Sequence, residues 1–159
     1  MNKIYIPILI INLFLTGCAT KSLVQIPNYP PQKITLTVTG YCDCKICCGW
    51  KRNWRFQPVY AYGPNVGKPK KIGITASGTK AVKGTIAADT KIFPYGTIIQ
   101  VPGYGIGRVE DIGGAIKGRH IDLFFNSHKE ALEWGRQKKQ CLVWIPKRSI
   151  KLKTHITNQ

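Results

Sequence analysis

Between Lys33 and Ile145 the apolar residues come in short runs separated by glycine and proline, a pattern that limits this chain to a fold of short strands. The clearest run starts at Lys33, where Ile34, Leu36 and Val38 alternate with Thr35, Thr37 and Thr39, the period of a strand with one buried face. Further strands are predicted over Thr85–Ala88, Thr97–Val101, Gly107–Glu110, His120–Phe125 and Cys141–Ile145. Turn chemistry at Pro94-Tyr-Gly96, Pro102-Gly103 and Gly113-Gly114 divides them. One short helix is predicted over His128–Lys138. Ser127 and Glu130 form a capping box there, and Ala131, Leu132 and Gly135 share a face. Six strands and one short helix make an all-β (mainly β) chain, in which a small sheet closes into a barrel.

The 159 residues suffice for one domain, expected over residues 33–146. Residues 1–17 read as an export signal, with Lys3 as the charged start and Ile4 to Phe14 as the apolar stretch. Leu15-Thr16-Gly17-Cys18 resembles the bacterial lipoprotein signal, which makes Cys18 the expected lipidation site. The alternative is an ordinary cleaved signal that contains a cysteine. Ala19 resembles the residue that sorts lipoproteins to the outer membrane in a two-membrane cell. The expected location is therefore the periplasmic face of the outer membrane. Residues 18–32, with Pro27, Pro30 and Pro31, read as a tether of up to about 45 Å, and residues 147–159 as a basic tail.

Lys and Arg number 24 against seven acidic residues; losing the signal with Lys3 takes the formal charge from +17 to +16. Such a field favours anionic partners, among them lipid headgroups and the carboxylates of cell-wall peptides, while export argues against nucleic acid. Most of these lysines serve simply as a solvated surface.

Scarcity makes three aspartates conspicuous. Asp89 closes an apolar run, Asp111 precedes a Gly-Gly turn, and Asp122 interrupts the apolar strand around Leu123 and Phe124. A carboxyl held among apolar neighbours is a candidate acid or base, because burial and a like charge such as Asp111 both raise its pKa. Lys117 and Arg119 would lower it if they approached. His120 shares a strand face with Asp122, so it is either a relay partner or an exposed neighbour. Asp89 and Asp111 also fit ordinary turn chemistry, and three carboxylates alone leave a cation site open.

The segments Thr75-Ala-Ser-Gly78, Ala87-Ala-Asp89, Pro94-Tyr-Gly-Thr97, Asp111-Ile-Gly-Gly-Ala-Ile-Lys-Gly118 and Ile121-Asp-Leu-Phe-Phe125, followed by Ser127 and Glu130-Ala131, resemble the three-aspartate (3D) domain of bacterial cell-wall proteins. The resemblance implies a six-stranded double-psi β-barrel. It also implies lytic transglycosylase activity on peptidoglycan: Asp122 is the single acid and base, assisted by Asp111 and Asp89, and the product is a 1,6-anhydro-muramic acid. Thr75 and Lys117 are the expected substrate-binding residues, and the chemistry needs no cofactor. The alternatives are a non-catalytic peptidoglycan-binding lipoprotein and a hydrolase that uses two carboxylates. A small domain of this kind would also use a cell-wall or secretion-machinery partner to reach substrate.

Cys42, Cys44, Cys47 and Cys48 follow the first strand directly, and a similar run occurs in some 3D proteins. Outside the cytoplasm disulfides are the default, and they are the expectation here, with no metal. The rival is zinc held by four thiolates, although the spacing is too tight for a common zinc finger. With Cys141 the thiols are odd in number. The segment from Gly49 to Gly63 interleaves Trp50, Trp54 and Phe56 with cations. It suits either stacking on sugars or folding back over the end of the barrel.

Overall fold

The computed structural model describes residues 24–147. The expected export signal, Cys18, the tether up to residue 23 and nearly all of the basic tail lie outside the described residues. The elements in chain order are β1 (Gln32–Tyr41), α1 (Lys45–Cys48), β2 (Trp50–Arg52), β3 (Pro58–Tyr60), β4 (Thr85–Ala88), β5 (Ile98–Val101), β6 (Gly105–Asp111), β7 (His120–Phe124), α2 (His128–Trp134) and β8 (Gln137–Trp144).

Six strands close a barrel in the order β1-β7-β4-β6-β5-β8. The β1·β7 and β4·β6 pairs are parallel and the other four antiparallel. The six-stranded closed barrel read from the sequence is thus the observed fold. Its interior is filled from alternate positions: Leu36 and Val38 of β1, Ile86 of β4, Val109 of β6 and Ile121 and Leu123 of β7 are all at most 1% exposed. Phe93, in the loop after β4, inserts into the same core.

Three differences from expectation have local causes. The helix stops at Trp134 because Gly135 closes it at φ +64°, and the chain turns directly into β8. That strand begins at Gln137 rather than Cys141. Its first four residues are polar, so no apolar alternation announces them, yet they pair with β1 from Val38↔Gln137 onward. The cysteine run supplies a second, four-residue helix, α1, and the aromatic segment after it forms the separate β2–β3 hairpin.

The end of the expected tether is docked rather than free. Tyr29 donates its hydroxyl to the Ile145 carbonyl at 2.9 Å, Trp144 Nε1 donates to the Tyr29 carbonyl at 3.0 Å, and Gln32 already belongs to β1. No helix among the described residues is long and apolar enough to cross a membrane.

Candidate active site

Asp122 projects from the outer face of β7, between the fully buried Ile121 and Leu123. Its register partner on β1 is Thr39 and on β4 is Ala87. On the far side of β4, Ala87 pairs with Asp111 of β6. One row, Thr39, Asp122, Ala87 and Asp111, therefore crosses four strands with a small residue between the carboxylates. The row depends on an irregularity in β6. The register steps from Ile86↔Val109 to Ala87↔Asp111 and skips Glu110. Because side chains alternate between faces, uninterrupted pairing would set Glu110 beside Ala87 and turn Asp111 the other way.

Thr39 Oγ1 donates to Asp122 Oδ1 at 2.7 Å and lies 3.0 Å from His120 Nε2, so it stands between the two groups considered for a relay. Burial is the main influence on Asp122 and raises its pKa to about 6. The Thr39 hydrogen bond opposes that rise and the charge of Asp111 adds to it. Burial and the Arg136 cation push His120 below the usual imidazole value.

Asp111 accepts three hydrogen bonds: from the Tyr41 hydroxyl at 2.9 Å to Oδ2, and from the backbone N–H groups of Ala76 and Ile112, each at 2.9 Å, to Oδ1. Burial and then Asp111 push the Tyr41 phenol far above its ordinary pKa, so it remains a donor. Its ring meets Phe124 edge-on at 5.5 Å, and the two form with Ala87 an apolar cluster against which Cys47, Cys48 and Ala81 pack.

The remaining expected residues are placed differently. Asp89 lies past the end of β4, where its carboxylate accepts from Gly118 N at 3.0 Å and Lys91 N at 3.1 Å. Those two bonds, with Lys117 and Lys91 nearby, hold its pKa below the usual value. It ties the β6–β7 loop to the β4–β5 loop. The exposed Lys117 thus acts on Asp89, whereas the charge that shifts Asp122 is that of Asp111. Thr75 is buried, and its hydroxyl lies 2.9 Å from that of Thr79 and accepts from Thr79 N at 3.1 Å inside a turn. The contact from this turn to an aspartate is made by the N–H of its neighbour Ala76, which donates to Asp111 Oδ1.

All five cysteines among the described residues stand as free thiols in this structure, so none of the expected disulfides is formed in it. Cys42 and Cys47 are the candidates whose sulfurs meet, at 3.8 Å, well beyond the length of about 2.05 Å that an S–S bond requires. Cys48 Sγ donates to the Cys42 carbonyl at 3.1 Å, and Cys141 is fully buried in the barrel. In the hairpin, Trp54 and Phe56 do not cover the barrel end; they are 82% and 77% exposed.

Residues 84–147 match the family model described as 3D domain. This segment is a 3D domain. The match begins at the edge of β4, so β1, which supplies Thr39 and Tyr41, and the cysteine loop precede it. The cell wall-binding protein YocH of Bacillus subtilis (strain 168) is 42% identical over 67 residues, which cover 40% of this chain and 23% of that protein. The chain accordingly spans under a quarter of that relative's length. Among solved structures, MltA from E. coli aligns with a TM-score of 0.38 at 24% identity, covering 50% of this chain and 30% of that one. The same enzyme with bound chitohexaose gives 0.39 at 22% identity, covering 46% and 28%.

Proposed function

We propose that this chain is a cell-envelope protein that cuts peptidoglycan as a lytic transglycosylase, with Asp122 as its acid and base. The observation that carries the reading is Asp122 itself, a carboxyl on the outer face of a barrel strand whose pKa is raised to about 6. An ordinary aspartate is protonated roughly once in a thousand molecules at pH 7; with this shift the figure is roughly one in ten. Thr39 engages Oδ1, so the proton is carried on Oδ2. Asp122 gives that proton to the oxygen linking N-acetylmuramic acid to N-acetylglucosamine as the bond to the anomeric carbon breaks. The carboxylate left behind takes the proton of the muramic 6-hydroxyl, whose oxygen closes on the same carbon to form the 1,6-anhydro ring. One carboxyl serves both steps and no water is consumed. Asp111, with its three donors and a Cα in register with Ala87, supplies the like charge. Lipidation at Cys18 and placement at the outer membrane belong to the same proposal.

A second reading, a wall-binding module that does not cut, is favoured by the hairpin. Trp54, Phe56 and the 68% exposed Tyr62 are free to stack on sugar rings beside Arg52 and Arg55. Purified peptidoglycan incubated with the full chain, with Asp122→Asn as control, separates the two. Anhydro-muropeptides found by mass spectrometry and lost in the variant establish the transglycosylase. Binding without product leaves the module, and products with reducing ends indicate hydrolysis by water.

A further inference from the structure

Four side chains outside the aspartate site converge: the ligand atoms of Cys42, Cys44, Cys47 and His128 all lie within 4.8 Å of one another. Cys42 Sγ is 3.8 Å from Cys47 Sγ, and His128 Nδ1 is 3.7 Å from Cys44 Sγ and 3.3 Å from Cys47 Sγ. A tetrahedral zinc ion, with bonds of about 2.3 Å to sulfur and 2.0–2.1 Å to nitrogen, sets its ligands about 3.8 Å apart for two sulfurs and about 3.6 Å apart for sulfur and nitrogen. The observed separations are close to those edges. The Cys42–Cys47 sulfur separation is nearly twice a disulfide length, and a disulfide would give the imidazole no role.

The chain builds the cluster from rigid parts. Cys42 directly follows β1, and Cys44 caps α1, where Cys47 N donates to its sulfur at 3.4 Å and folds the two thiols to one side. His128 is the first residue of α2, and α2 packs on β1 with Ala131 against Gly40. We infer that Cys42, Cys44, Cys47 and His128 form a closed structural site for one zinc ion, three thiolates and an imidazole, that fastens the cysteine loop to α2. Three soft sulfurs and a nitrogen select zinc over calcium or magnesium, and four protein ligands leave no position for substrate. Loading releases the thiol protons, and the bound metal keeps the sulfurs from pairing. Sequence spacing alone suggested four sulfurs; the imidazole, more than 80 residues away, replaces that of Cys48. The inference is independent of the role given to Asp122.

The test is metal analysis of the full chain purified from zinc-replete cells, followed by cobalt exchange. The expected result is one zinc per chain. Cobalt should give thiolate charge-transfer absorption and the strong visible bands of four-coordinate geometry. Cys47→Ser and His128→Ala should lose stoichiometric metal, while Cys48→Ser and Cys141→Ser keep it. His128→Cys guards against a folding artefact, because four thiolates still bind and the cobalt spectrum shifts. A zinc-free chain whose intact mass is lower by the hydrogens of one or more disulfides would overturn the site, as would metal retained in His128→Ala but lost in Cys48→Ser.

Discussion

The raised pKa of Asp122 predicts that removing its charge stabilises the fold while abolishing catalysis. Its carboxyl titrates at about 6 in the folded chain against 3.8 without the fold's influence. Two pKa units correspond to about 3 kcal/mol. The folded state holds this proton more tightly than the unfolded state. The group's stabilising contribution is therefore complete below about pH 4 and is lost as the pH rises through 6. Asp122→Asn keeps the acceptor for Thr39 and the shape of the side chain but cannot ionise. Asp122 is partly open to solvent, which screens the effect, so we expect the variant to be more stable by about 2 kcal/mol at pH 8 and by under about 0.5 kcal/mol at pH 4. Urea denaturation of both proteins at the two pH values measures this directly. A variant less stable than wild type at pH 8, or a difference that does not grow with pH, would refute the electrostatic account of this residue, whatever its activity.

The Thr39 hydrogen bond lowers the pKa of Asp122, so Thr39→Val should raise it and move the alkaline limb of the pH–rate profile upward; a limb that stays in place argues against Asp122 as the acid. Asp89 has the opposite sign, because its folded pKa is depressed. Asp89→Ala should lower the denaturation midpoint at pH 7, with a deficit that shrinks as pH falls through the carboxylate range. Gly40→Ala would place a Cβ 2.9 Å from Phe125 Cε2 and 3.0 Å from the Ala131 carbonyl oxygen. The α2 backbone cannot swing aside, so a loss of about 1–3 kcal/mol is expected in urea titrations.

How much of this was legible beforehand follows from what each residue depends on. The barrel strands were visible because Ile34, Leu36 and Val38, like Ile121 and Leu123, must alternate to fill a closed interior, and Ser127 marks its helix through a local bond to Glu130 N. Asp122 was visible because a carboxyl stands directly between apolar residues, although it takes the strand's outward position and keeps the alternation. Its partner Thr39 was seen only as one threonine on a polar face, since the β1·β7 register that selects it joins residues more than 80 positions apart. Asp111 was found, but the skipped Glu110 that turns it onto the site's face leaves no mark in composition. Thr75 and Ala76 show the reverse problem: the side chain attracted attention, and the backbone N–H beside it makes the contact. His128 was read only as the start of a helix, because no sequence spacing relates it to the cysteines.

Tyr41 connects the two constellations. Its hydroxyl holds Asp111, its ring is wedged between Phe124 and the underside of the cysteine loop, and the next residue in the chain is Cys42. If the loop is fastened to α2 through Cys47 and His128, it limits the positions open to Tyr41, and through Tyr41 it sets where the charge of Asp111 sits beside Asp122. A double-mutant cycle puts a number on that connection. Tyr41→Phe removes a hydrogen bond to a carboxylate, worth about 1.5–3 kcal/mol. Made in a Cys47→Ser background, the same change should cost less by more than about 0.5 kcal/mol, because the loosened loop no longer holds the hydroxyl in place. Costs that simply add, within about 0.3 kcal/mol, would mean that the loop and the aspartates are neighbours without being coupled.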